Sequence, residues 1–199
     1  RVYGKRPSYA RSAAMGIFPQ QKLCRLYGIT LIELLIVLAI SGILFASAGP
    51  AFFTLIGSTA VTTAVNDMVG RLHLARSEAV KRRIKVTLCP SDDKITCLKT
   101  TEWHHGFIIF SNENGNGVVD GEDQLLRTYQ PGSSRVGIYS TPGRKKLSYK
   151  PDGGARGSNA TLAVCDTGGE LPPRYVIVSG TGRPRSSETK PHGSPISCG

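Results

Sequence analysis

The feature that most constrains this chain is an apolar run over residues 29–49, ITLIELLIVLAISGILFASAG, in which Glu33 is the only ionisable side chain. As a helix these 21 residues span about 30 Å, the thickness of a bilayer core. A carboxylate inside such a run is costly to bury, so it reads as functional by default. Residues 1–28 carry Arg1, Lys5, Arg6, Arg11, Lys22 and Arg25 and no acid. A basic flank before an apolar span keeps the N-terminal side cytoplasmic and sends the remainder outward. The run is too long for the apolar part of a secretory signal peptide, and no small-residue cleavage site follows at the usual distance.

Residues 50–199 would then face an oxidising compartment, which gives the cysteines a meaning. Four of the five, Cys89, Cys97, Cys165 and Cys198, lie beyond the apolar run. They suit two disulfides, for which sequence permits three pairings. The most natural is Cys89 with Cys97 as a short loop and Cys165 with Cys198 tying down the tail. Zinc is disfavoured because no CxxC spacing occurs. The net charge of +11 also divides unevenly: beyond residue 28 there are 19 bases against 14 acids. Nucleic-acid binding therefore needs a local patch and cannot be read from overall charge.

Pro50 lacks a backbone donor and is expected to kink or loosen the helix. Val61, Val65, Met68, Leu72, Ala75 and Ala79 recur every three or four residues, one apolar stripe of a helix that continues to about residue 83. Glu78 and Arg82 form a favourable i,i+4 pair on its solvated side. After that the period changes. Residues 84–89 alternate, which predicts a strand with one buried face, ended by Pro90. Residues 107–110, 125–129, 136–139, 161–164 and 175–178 supply further strands between glycine- and proline-rich turns. The expected fold class is α+β: a helix over 29–83, membrane-spanning at 29–49, and a β-rich head over 84–199.

Residues 112–123, NENGNGVVDGED, place oxygen-bearing residues at positions one, three, five, nine and twelve of an EF-like loop. The first three would be asparagines and the flanks read as strands, so a glycine-rich hairpin connection explains them better than calcium. His104 and His105 beside Trp103 invite a metal or catalytic reading. In a strand, however, adjacent histidines point to opposite faces, which disfavours joint ligation. No GxSxG, HExxH or Walker loop is present. The expectation is no catalytic residue, no metal site, no cofactor and no enzyme activity. The clearest separate signal is Gly182-Arg183-Pro184-Arg185, two guanidinium groups on a turn suited to grip phosphates without reading bases.

The segment Gly28-Ile29-Thr30-Leu31-Ile32-Glu33-Leu34 resembles the leader junction of type IV prepilins and type II secretion pseudopilins. The resemblance implies a leader over residues 1–28, cut between Gly28 and Ile29 by a prepilin peptidase that then N-methylates Ile29. Phenylalanine is commoner at that place than isoleucine. The new amino terminus lies four residues before Glu33, which would neutralise it in a neighbouring subunit and so select the axial register. Ala75-Arg76-Ser77-Glu78-Ala79, Trp103-His104-His105-Gly106-Phe107, the asparagine-rich turn and Leu125-Leu126-Arg127 are similar to the GspH/FimT group of minor pilins. The implied protein is a FimT-like minor pilin of the inner membrane, with a periplasmic head, assembled with other major and minor pilins or pseudopilins. In that group a GRxR run like Gly182-Arg183-Pro184-Arg185 is associated with double-stranded DNA capture for natural transformation. The alternatives are a GspH-like pseudopilin of type II secretion, or an adhesive or structural pilus-tip subunit.

Overall fold

The computed structural model describes residues 28–199, apart from Glu122, Pro131, Ser194, Gly199 and the side chains of residues 47–51. Except for Gly28, the expected leader lies outside the described residues. Two compact units are present, one ending at Leu44 and the other Phe45–Gly199. Each is described by itself.

Helix α1, Leu31–Arg82, begins at a built N-terminus. The Glu33 N–H donates to Thr30 Oγ1 at 3.3 Å and the Leu34 N–H to the Thr30 carbonyl at 3.2 Å. Thr30 thus caps the helix, with Glu33 at the third helical position of a Thr-x-x-Glu sequence. The carboxylate also lies in the first turn, where the helix dipole favours negative charge. Leu31, Leu34, Leu35, Ile36, Leu38, Ile40 and Ile43 are all more than half exposed, so the run is apolar on every side. Among the described residues no helix is long and apolar enough to cross a membrane. The described side chains of this run stop at Ala46, and the span expected over 29–49 includes residues 47–49, beyond that limit. The helix continues through Pro50.

In the second unit the stripe Val61, Val65, Met68, Leu72, Ala75 and Ala79 is at most 2% exposed. It packs in one core with Val86, Leu88, Ile109, Leu147, Leu162, Val164 and Val176. Arg83 ends the helix in the left-handed region, φ 59°, the conformation of many helix C-caps.

Eight strands follow: β1 Val86–Pro90, β2 Phe107–Ser111, β3 Leu125–Tyr129, β4 Val136–Ser140, β5 Leu147–Tyr149, β6 Ala160–Asp166, β7 Arg174–Val178 and β8 Pro184–Ser187. They form two antiparallel four-stranded sheets ordered β3-β2-β1-β5 and β4-β6-β7-β8. The expected single buried face of β1 is corrected: all five of its residues are buried. Val86 and Leu88 face the main core, while Cys89 packs with Ile108, Phe110, Cys97 and Val119 beneath the loops. Central position and a loop-covered outer face remove solvent from both sides. Pro90 belongs to the strand, paired with Phe107. The disulfides join Cys89 to Cys97 and Cys165 to Cys198.

Candidate functional site

Gly28 and Ile29 lie outside the helix and are exposed, immediately before the Thr30 cap. Backbone outside a helix has groups free to pair with a peptidase cleft, whereas helical backbone has its groups already paired. Glu33 is exposed in the first helical turn. Its surroundings are capping geometry rather than a buried pair within one chain.

The Gly182-Arg183-Pro184-Arg185 run occupies the turn into edge strand β8. Gly182 is obligatory there: its φ is +78°, and a Cβ would lie 1.9 Å from the Gly153 carbonyl oxygen. Pro184 starts the edge strand opposite Val178 and is buried, a place where a missing N–H does no harm. Arg183 and Arg185 are exposed, and alternation along extended chain puts them on the same side. Neither meets a carboxylate among the described ion pairs. Arg174 behaves differently, pairing with Glu188 and donating to Thr62 Oγ1 at 3.3 Å.

A larger basic feature lies beside this turn. A groove of about 690 Å³ is lined by Lys85, Lys99, Arg144, Lys145, Lys146, Lys150 and Arg156, with no acidic side chain lining it among the described residues. Its remaining lining is serine, threonine, glycine, cysteine and aliphatic residues, without an aromatic ring. Arg156 pairs with Asp152; the other six cations meet no carboxylate among the described residues. Arg144 instead donates to the Gly157 carbonyl at 2.8 Å. Arg156 approaches the turn, its Cγ 3.8 Å from where a Gly180 Cβ would stand. Sequence reasoning missed this groove because its cations come from five separate segments. Only the run Arg144-Lys145-Lys146 was visible as a local signal.

The loop over residues 112–123 connects β2 to β3 as a hairpin. Asn114 and Asn116 each donate an amide N–H to Asp120 Oδ2, at 2.7 and 2.8 Å. Lys85 Nζ donates to the Gly115 carbonyl at 3.0 Å and Lys146 Nζ to that of Asn116 at 3.2 Å. Several loop oxygens thus accept from the protein's own amides and ammonium groups, whereas Asp123 Oδ2 is buried without a hydrogen-bond partner among the described residues; the loop forms one wall of the groove.

Trp103, His104 and His105 differ from expectation. They form a turn, not a strand, so the two imidazoles share one side, with ring centroids 4.2 Å apart.

The fold and its leader junction have known counterparts. A profile described as "Type II transport protein GspH" matches residues 64–182, and one described as "Prokaryotic N-terminal methylation motif" matches residues 27–49. The chain belongs to the type IV minor pilin/GspH family. Its methylation motif is that of a membrane-anchored pilus subunit. A relative, the "Pilin-like protein PilA1" of Thermus thermophilus, is 31% identical over 164 residues, covering 79% of this chain and 96% of that protein. Two crystal structures of the type IV minor pilin FimU of Pseudomonas aeruginosa share the fold. One has a TM-score of 0.53 at 21% identity and covers 70% of this chain and 97% of its own. The second gives 0.50 at 22%, with 68% and 99% covered. The GspH-family match contains β1 to β7 and ends at Gly182, so Arg183, Arg185 and β8 lie beyond it.

Proposed function

We propose that this chain is a minor type IV pilin whose head binds double-stranded DNA through its phosphates. Processing removes residues 1–28 by cleavage between Gly28 and Ile29 and methylates Ile29. Residues 29–49 hold the subunit in the inner membrane with a cytoplasmic N-terminus and a periplasmic head. In the filament Glu33 meets the new amino terminus of a neighbouring pilin. The exposed, non-helical junction and the all-round apolar run support that part.

The DNA reading rests on one observation, a groove lined by seven cations and, among the described residues, no acid, continued toward Arg183 and Arg185. Cations without carboxylate partners remain available to phosphates, and the absence of aromatic rings favours duplex backbone over stacked single strands. Such contacts position nucleic acid without reading its sequence.

Fluorescence anisotropy of the detergent-solubilised chain with duplex DNA tests this. Each phosphate contact contributes about 0.9 to the log–log salt slope. R183A/R185A is therefore expected to reduce that slope by about 1.8, and K145E/K146E to weaken binding further. Binding untouched by both variants would remove the basic face from the function. The family description "Type II transport protein GspH" favours a second reading, a secretion pseudopilin with protein partners, which an absence of DNA binding would support.

A further inference from the structure

We propose that Glu102, His104 and His105 form an open three-ligand site for a transition-metal dication of the zinc type. One ligand atom from each residue lies within 4.8 Å of the other two. Glu102 Oε2 stands 3.4 Å from His105 Nε2. That is the edge of a tetrahedron with bonds of about 2.0–2.1 Å, which works out at about 3.3–3.4 Å. Bringing the widest pair to the same edge asks for a movement of about 1.5 Å, within the reach of side-chain torsions.

The third ligand is oriented from behind. His104 Nδ1 lies 3.4 Å from the Ile138 carbonyl oxygen. As the N–H tautomer it donates there, leaving the Nε2 lone pair for an ion, the arrangement typical of metal-binding histidines. The Tyr139 ring flanks the same imidazole with centroids 5.2 Å apart.

The backbone holds all three residues in place. Glu102 forms an isolated bridge with Tyr139 of β4. The Trp103 N–H donates to the Ile138 carbonyl at 2.8 Å, and its indole is only 2% exposed. Gly106 closes the turn at φ +122°, where a Cβ would strike the Ser91 and Tyr129 carbonyl oxygens at 2.8 Å. The ligands therefore sit on a pinned turn between β4 of one sheet and the start of β2 of the other.

Two imidazoles and one carboxylate select zinc, cobalt, nickel or copper over magnesium and calcium. The His105 and Glu102 side chains are 57% and 48% exposed, so the fourth position opens to water or to a donor from another molecule. The competing description is a simple surface ion pair of His105 with Glu102.

The test is calorimetric titration of the full chain, purified in detergent without a polyhistidine tag, with zinc chloride and separately magnesium chloride. Cobalt(II) absorption serves as a spectroscopic readout. One zinc per chain is expected, with visible cobalt bands and no magnesium heat. H105A and E102Q should each weaken binding roughly tenfold or more, and H192A should leave it unchanged. H105A alters an exposed side chain, so circular dichroism should remain that of the parent. No zinc binding up to millimolar concentration, or equal binding by H105A and the parent, would overturn the site.

Discussion

Removing each disulfide in turn should cost different amounts, and the structure fixes the order. Cys165–Cys198 closes 33 residues and Cys89–Cys97 closes 8. The chain-entropy relation gives about 3.7 kcal/mol for the longer loop and about 2.5 kcal/mol for the shorter. Packing widens the gap. The long bridge holds Ile196, 2% exposed, against Ala163, Cys165 and Tyr175 on the outer side of β6 and β7. Freeing that side chain forfeits about 1.5–3 kcal/mol of burial. C165A/C198A should therefore be the more destabilised variant by roughly 2–4 kcal/mol. Trp103 is the single tryptophan, and it is buried. Its fluorescence in guanidinium titrations of the detergent-solubilised chain reports the transition directly. Hydrogen exchange should show residues 190–198 opening first in C165A/C198A and unchanged in C89A/C97A. Equal losses, or a greater loss for C89A/C97A, would refute both the loop-length argument and the anchoring role of Ile196.

Acid should destabilise the head. Burial pushes the Asp166 carboxyl up, but the Arg135 hydrogen bond at 3.0 Å and its charge, with the Gly168 and Glu170 N–H groups, hold it below the carboxylate range. Asp93 is also held low, first by the Thr96 hydroxyl, then by the Thr96 and Ile95 N–H groups. A depressed folded value contributes stability that is complete above the ordinary value near pH 4 and is lost as pH falls through the folded value. Melting temperature should thus be flat above about pH 5 and fall below about pH 4, with a shallower fall in D166N; an identical profile in D166N would refute the assignment. Gly182→Ala should cost about 1–3 kcal/mol or more through left-handed strain and the clash with Gly153. It should also weaken DNA binding by displacing the arginine turn, as read by melting temperature and anisotropy together.

Much of the fold was legible because period and burial coincide. The six-residue stripe Val61 to Ala79 is written at helical spacing, and each member reaches the core. Strands β2, β3, β4, β6 and β7 announce themselves by apolar runs between turns. β5 is three residues long, too short for any period to register. β8 is polar at Arg185, Ser186 and Ser187 because it is an edge strand, so its pairing comes from β7 rather than from its own composition. The histidine pair misled for a related reason. Trp103-His104-His105 alternates poorly whichever way it is read, and only Gly106, forced by two carbonyl oxygens, turns that chain away from a strand.

The sorting of charge is what sequence could not display. Arg71, Arg82 and Arg135 sit within 4 Å of Asp67, Glu78 and Asp166, and Arg174 meets Glu188. Asp67 and Glu78 lie on the helix, and Asp166 and Glu188 on the second sheet and its flank. In the groove Arg156 meets Asp152, and the other six cations meet no carboxylate among the described residues, although the chain beyond residue 28 has only a modest net excess of five positive charges, from 19 bases and 14 acids. A uniform scatter of the same residues would have produced a weak field everywhere. Segregation instead concentrates repulsion among Lys85, Arg144, Lys145, Lys146 and Lys150, which costs stability unless an anion resides there. Physical chemistry therefore links two measurements: added duplex DNA should raise the melting temperature at low salt, and K145E, which keeps the Lys146 hydrogen bond to the Asn116 carbonyl, should raise it without DNA while lowering that gain.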